Sequence, residues 1–145
     1  MVHPNEDYYA WTQETVEKLR QGKLAEVNME ALIEELEEMA SSDRNEVENR
    51  LIVLLMHLLK WQYQPERRSR SWQLTIKEQR QRIARRLMKS PSLKPKLKET
   101  IQEVYSSAVT IAARETDLDE DTFPATFEQT GWRWEQVLDM AYLPD

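Results

Sequence analysis

The chain has 145 residues, no cysteine, only two glycines and a net charge of −6. The lack of cysteine excludes disulfides, thiolate metal sites and cysteine nucleophiles, and two glycines are too few for a phosphate-cradling loop. No apolar run is long enough to span a membrane, and the N-terminus lacks the regions of a secretion signal. We therefore expect one cytoplasmic domain covering residues 1–145, with no metal, no cofactor and no membrane contact.

The net charge conceals a strong segregation of charge along the chain. Residues 1–59 carry a net charge of −8, residues 60–100 carry +10 and residues 101–145 carry −8. A basic segment between two acidic arms is the strongest compositional signal in the chain. Two arrangements are open: the basic segment is exposed, or the acidic arms fold over it and neutralise much of its charge.

The first helix is predicted over residues 5–21. Asn5 is the expected N-cap, and Gly22 is expected in the left-handed conformation that follows many helices. Apolar and small side chains recur at helical spacing on one face, which we expect to be buried. These side chains are Tyr8, Thr12, Val16 and Leu19.

A second helix is predicted to begin after Asn28, its expected N-cap. Glutamates surround its apolar stripe, as in an amphipathic helix. The residues 41–43, Ser-Ser-Asp, either break this helix or leave residues 29–64 as one long helix. The stripe consists of Leu32, Ile33, Leu36 and Met39.

The stretch from Leu51 to Leu59 is the most apolar part of the chain. The spacing over residues 46–64 is helical, and apolar side chains cover more than half of the helix circumference. Such a helix packs against neighbours on several sides, so we expect it to be central. Pro65 ends it, because the residue before a proline avoids the α conformation.

Beyond Pro65 the pattern predicts further helices over residues 72–89, 93–115 and 132–140. Ser92 is the expected N-cap of the second of these, and residues 116–131 are expected to be irregular. The fold class predicted is therefore an all-α bundle of about five helices around a long apolar helix. The expected buried stripe of residues 72–89 is Trp72, Ile76, Ile83 and Leu87.

Several motifs resemble a bacterial family named domain of unknown function 29. They are HLLKWQYQPERRSRSW at residues 57–72, Gln79-Arg80, and SPSLKPKL at residues 90–97. Tyr8-Tyr9-Ala10-Trp11, the EELEEM of residues 34–39 and Leu143-Pro144 are similar to its flanking motifs. The resemblance implies an all-helical domain of bacterial origin and supplies no activity.

The first candidate site lies on the narrow polar side of the central helix. His57 sits inside a leucine run, and a histidine in a cleft is suited to general base catalysis. A histidine hydrogen-bonded within the core is the more common outcome. Arg50 and Lys60 share its side of the helix.

Arg80 is the second candidate, because it lies at the edge of an apolar stripe. A buried arginine needs a partner, and Glu34, Glu35 or Glu38 is the expected one. A structural ion pair is favoured over the alternative, in which Arg80 and Arg50 bind a phosphate or carboxylate.

The third candidate is the basic and aromatic segment 60–98. Its cations are suited to phosphates, and Trp61, Tyr63 and Trp72 are suited to stacking on bases. A solvated charged face is the simpler interpretation, and both tryptophans fall at positions expected to be buried. The residues of all three candidate sites are Arg50, His57, Lys60, Arg67, Arg68, Arg70 and Arg80.

Acidic clusters are the fourth candidate. Asp117, Asp119 and Asp121 alternate as at the start of a calcium loop, but Thr122 stands where such a loop has its glycine. The aspartate cluster is interpreted as a polar loop. Paired acids such as Glu34, Glu35 and Glu38 are suited to acid–base or magnesium chemistry.

Three functions remain open. The favoured hypothesis is a non-enzymatic interaction module that forms a homo-oligomer or binds a protein partner. The alternative is nucleic-acid binding through residues 60–98. The second alternative is an enzyme acting on a small molecule through His57 with Arg50 or Arg80, which the lack of a recognisable catalytic constellation disfavours.

Overall fold

The structure, a computed structural model, describes residues 2–145 and is all-α in that range, without a strand. The prediction of about five helices is confirmed. The five α-helices are α1 (Tyr8–Arg20), α2 (Met29–Tyr63), α3 (Arg70–Lys89), α4 (Leu97–Thr116) and α5 (Trp134–Leu138). Short 3₁₀ turns lie at Leu24–Glu26, Pro65–Arg67, Pro91–Lys96, Glu120–Thr122 and Glu128–Thr130.

Helix α2 is one uninterrupted helix of 35 residues, which settles the question left open by residues 41–43. Asn28 caps it, as predicted: its side-chain Oδ1 accepts a hydrogen bond from the Ala31 backbone N–H at 3.1 Å. At about 1.5 Å per residue such a helix is roughly 50 Å long. It ends just before Pro65, where the sequence predicted.

The packing of the backbone divides the chain into two units, Met1–Ser42 and Asp43–Asp145. Helix α2 contributes residues to both units. The expectation of a single domain over residues 1–145 stays a prediction.

The larger unit, Asp43–Asp145, is a helical bundle with one continuous apolar core. Leu51, Leu54, Leu55, Leu58 and Leu59 of α2 are fully buried, as expected of the central helix. Each such side chain contributes about 1.5–3 kcal/mol relative to an exposed one. The other elements supply Ile76, Ile83, Leu97, Ile101, Ala108, Ala112, Phe123, Phe127 and Val137.

The smaller unit, Met1–Ser42, has a thin core. Trp11 and Thr15, one turn apart on α1, are buried, whereas Val16 and Leu19 are exposed. The predicted buried face of α1 was therefore wrong, because the large indole of Trp11 turns the adjoining side of the helix inward. Among residues 2–42 the buried side chains are Trp11, Thr15, Val27 and Ala31.

The two ends of α1 differ in how well the sequence predicted them. The N-cap is Asp7, whose Oδ1 accepts from the Ala10 N–H at 3.0 Å; Asn5 instead donates its own N–H to the ring of His3. Gly22 has φ +74° and follows the helix end, as predicted. The Lys23 N–H closes this end on the Lys18 carbonyl, a Schellman arrangement.

The boundaries of α4 and of the last helix also differ from the predicted ones. Residues 91–96 form a 3₁₀ segment, so α4 begins at Leu97 and the prediction of Ser92 as its N-cap was wrong. Prolines 91 and 95 lack the N–H groups that an α-helix needs, which explains the later start. The last helix is limited to Trp134–Leu138.

Candidate functional site

His57 is half-buried on α2, and its Nδ1 lies 2.9 Å from the Val53 carbonyl oxygen, to which it donates as the protonated nitrogen. Burial lowers the pKa of His57, and the positive charge of Lys60 lowers it further. The Val53 carbonyl and the Glu115 carboxylate oppose this shift. Its surroundings therefore favour the neutral imidazole, which is hydrogen-bonded to its own helix.

Lys60, one turn beyond His57, also has partners in the fold. Its ammonium lies 3.0 Å from Glu115 Oε2 and 4.8 Å from the centre of the Trp72 ring. Only 12% of the Lys60 side chain is exposed. Trp72, which was predicted to be buried, is half-buried, and the Lys60 ammonium lies over its ring as in a cation–π contact.

The three arginines after Pro65 have different surroundings. The Arg68 side chain donates to the carbonyl oxygens of Trp61 and Asp145, both at 2.7 Å, and lies 4.9 Å from the Trp61 ring centre. Arg68 therefore has a structural role, because it links the backbone at Trp61 to the backbone at Asp145. Arg67 and Arg70 are exposed and remain available for a ligand.

Arg80 is buried, with 3% of its surface exposed. Its Nε donates to the Val137 carbonyl oxygen at 2.8 Å, and its Nη2 to the Gln136 carbonyl oxygen at 3.3 Å. The expected glutamate partner was therefore wrong, and backbone carbonyls of α5 take that role. Burial lowers the pKa of Arg80, against the effect of the nearby Asp139 carboxylate.

Arg50 pairs along its own helix, with its Nε 3.7 Å from Glu46 Oε1. That Nε is buried and makes no hydrogen bond. Arg50, His57 and Arg80 therefore have three separate sets of partners. The structure places His57 beside Lys60, and it gives no common ligand site to the residues of the enzyme hypothesis.

The outer face of α3 is basic. Six residues at spacings of three and four positions form this face, and all are exposed. Lys77 and Arg85 make no ion pair with any described residue. We refer to this set as the α3 outer face: Arg70, Leu74, Lys77, Gln81, Arg85 and Met88.

A groove of about 540 Å³ adjoins the α3 outer face. Two of its arginines are paired, Arg82 with Glu78 at 3.0 Å and Arg86 with Asp43 at 3.1 Å. Ser90 also hydrogen-bonds Asp43, and this bond, together with Arg86, lowers the pKa of that carboxyl group. The groove is lined by Glu46, Arg82, Arg85, Arg86 and Lys89.

The most unexpected surface is apolar and lies on the first part of α2. Of the stripe predicted there, Leu32 is half-buried, but Ile33, Leu36 and Met39 are exposed. With Met29 they form a row whose side chains are between 48% and 65% exposed. Ala31, on the opposite side of the helix, is the buried residue. We refer to this set as the apolar row: Met29, Ile33, Leu36 and Met39.

Acidic side chains lie beside the apolar row. A cavity of about 380 Å³ in the smaller unit is lined by His3, Pro4, Asn5, Asn28, Glu30, Ala31, Glu34, Glu35 and Glu38. Glu35 accepts a hydrogen bond from the Tyr8 hydroxyl at 3.2 Å. Within residues 2–145 no three His, Asp or Glu side chains gather as a metal site.

Fold and surfaces together define an all-α protein with a small acidic unit, a larger helical bundle and an exposed apolar row. None of the helices in the described part of the chain is long and apolar enough to cross a membrane. Residues 5–143 match the family model described as Domain of unknown function DUF29. The chain belongs to the DUF29 family. No curated protein and no solved structure matches it.

Proposed function

We propose that this protein is a self-associating interaction module and that the apolar row is its binding surface. The observation that carries the proposal is the exposure of Met29, Ile33, Leu36 and Met39 along one side of α2. These side chains follow one another at helical spacing. A row of this kind is how an amphipathic helix binds a partner groove.

The free energy gained by covering the apolar row supports association of the protein that depends on its concentration. About half of each side chain in the apolar row is exposed, so covering the row contributes roughly 1 kcal/mol per residue. Loss of translational and rotational freedom opposes this gain. Four such residues therefore support a weak contact, which charge complementarity must strengthen.

The small size of the unit Met1–Ser42 also supports association with a partner. Of the described residues 2–42, four have buried side chains, and the chain has no cysteine to form a disulfide. Units near 40 residues commonly depend on disulfides, metals or oligomerisation for stability. A protein partner over the apolar row supplies the missing apolar contacts.

The proposal places the protein in a bacterial cytoplasm. Bacterial origin is supported by the family resemblance of the motifs in residues 57–97. A cytoplasmic location is supported by a sequence without cysteine, since disulfides stabilise proteins mainly in oxidising compartments.

Site-directed crosslinking tests the proposal directly, because the natural chain has no cysteine. A photoactivatable maleimide reagent is attached to the full-length Leu36→Cys variant and, as a matched control, to Leu24→Cys. Both leucines are 56% exposed, but only Leu36 belongs to the apolar row. We expect covalent dimers from position 36 and few from position 24; equal yields or no dimers from either position contradict the proposal.

A second candidate function is nucleic-acid binding, favoured by the exposure of Arg67, Arg70, Arg82 and Arg85. It predicts retention of a duplex or single strand that weakens steeply with salt. Binding that survives the Lys77→Glu/Arg85→Glu exchange excludes the α3 outer face as its site. A complete lack of binding at low salt removes this candidate.

A further inference from the structure

We infer that the apolar row of one copy docks on the α3 outer face of a second copy. The inference rests on the proposed function and names its partner surface. It joins two exposed features of the chain, one acidic and apolar, the other basic and apolar. The contact is therefore between two different surfaces.

Pairing of two apolar rows with each other is disfavoured by charge. Glu30 and Glu37 are seven residues apart on α2, so they lie on the same flank of the row, and both are exposed. Two rows face to face bring these glutamates close to those of the other copy. Like charges at such positions oppose association.

The α3 outer face offers the complementary charge. Lys77 and Arg85 are exposed, and neither is paired with a carboxylate of the described chain. A glutamate of a second copy that meets them forms an intermolecular pair without breaking an existing one. This complementarity determines which surface is preferred and speeds encounter.

The same face carries apolar side chains for the row to cover. Leu74 is 51% exposed and Met88 is 81% exposed. Leu74, Gln81 and Met88 are spaced seven residues apart. Met29 and Leu36 on α2 have the same spacing. Matched seven-residue repeats allow two helices to pack along one seam, with charged flanks selecting the partner.

When two copies associate through two different surfaces, one copy keeps a free apolar row and the other keeps a free α3 outer face. Such heterologous contacts close into rings or continue as open chains. The inference therefore predicts species larger than dimers as concentration rises. Salt weakens them, because exposed charge pairs are screened.

Charge exchange tests the inference on full-length, nuclease-treated protein by sedimentation velocity. One variant is Glu30→Lys/Glu37→Lys, and the other is Lys77→Glu/Arg85→Glu. We expect each alone to associate at least about tenfold more weakly than the wild type, equivalent to roughly 1.4 kcal/mol. An equimolar mixture should regain association, because reversed surfaces then meet each other. Lys94→Glu/Lys96→Glu, with the same charge change on exposed residues outside α3, should behave as wild type.

Two further results decide between this contact and its rivals. The Glu30→Gln/Glu37→Gln variant should associate more weakly than wild type; stronger association indicates row-on-row pairing and overturns the inference. Wild-type association that Leu36→Glu abolishes but Lys77→Glu/Arg85→Glu leaves unchanged also overturns it, and the proposed function stands. A wild type that stays monomeric at every concentration overturns the proposed function itself.

Discussion

The Arg80 guanidinium donates to the Val137 carbonyl oxygen at 2.8 Å and so attaches the last helix to the middle of α3. Arg80 is 3% exposed and Val137 is fully buried. Hydrogen bonds from a charged donor are worth more than neutral ones. The bond explains why an arginine lies among the apolar residues of α3.

Replacement of Arg80 by methionine should destabilise the larger unit. The substitution removes two hydrogen bonds from a charged group and leaves the Gln136 and Val137 carbonyls without that donor, at a cost of about 1.5–3 kcal/mol. Urea unfolding followed by tryptophan fluorescence measures the change. Arg85→Met, at an exposed position of the same helix, should change stability by less than about 0.5 kcal/mol. Equal effects from both variants contradict the assigned role.

Removing the Tyr105 hydroxyl should also destabilise the larger unit, but by less than the loss of Arg80. Its hydroxyl donates to the Pro124 carbonyl at 2.8 Å, and burial raises its pKa. Tyr105→Phe should cost about 1 kcal/mol, because the carbonyl of a partly buried segment loses its donor. Thermal unfolding compared with Tyr9→Phe, at a 73% exposed position, checks this. No difference between the two variants argues against a role for the bond.

His57 should make the stability of the larger unit depend on pH. Burial lowers its pKa below the ordinary value of 6.5, so the unfolded chain takes up a proton before the folded one does. The contribution of the neutral imidazole is complete above pH 6.5 and is lost as the pH falls from there towards the folded pKa. The free energy of unfolding of wild type should therefore fall more steeply below pH 6.5 than that of His57→Gln. Parallel pH profiles would show that His57 has the same pKa in both states.

The central helix was predictable because its signal is local. Leucines such as Leu54, Leu55 and Leu58 fill most sides of the helix, and only the interior of a bundle accommodates that pattern. Of the two outcomes left open at residues 41–43, the structure shows the continuous helix, because serine and aspartate weaken a helix without stopping it. Asn28 and Gly22 acted as caps in the way their side chains and backbone preferences allow.

The partners of the candidate residues were not predictable. Arg80 binds backbone carbonyls that lie 56 and 57 positions away, and every residue type supplies a carbonyl. Lys60 finds Glu115 at a separation of 55 residues, one of many acidic side chains in the chain. Such pairs depend on the tertiary fold, which residue identity alone does not specify.

The apolar row shows the limit of periodicity. Spacing identified Ile33, Leu36 and Met39 as one face of a helix, but an amphipathic pattern does not say which molecule covers that face. On α1, the same reasoning chose Val16 and Leu19, and the structure buries Trp11 and Thr15. In the smaller unit the apolar spacing therefore does not identify the side chains that the chain itself buries.

The most direct test of self-association is sedimentation velocity of full-length wild type, Leu36→Glu and Leu24→Glu over a range from micromolar to millimolar concentration. The two leucines are equally exposed, at 56%, so the variants differ in position and not in chemistry. A buried carboxylate at the contact is costly. We predict that the wild type and Leu24→Glu gain mass with concentration while Leu36→Glu remains a monomer. A monomeric wild type, or a Leu36→Glu variant that associates as the wild type does, would contradict the account.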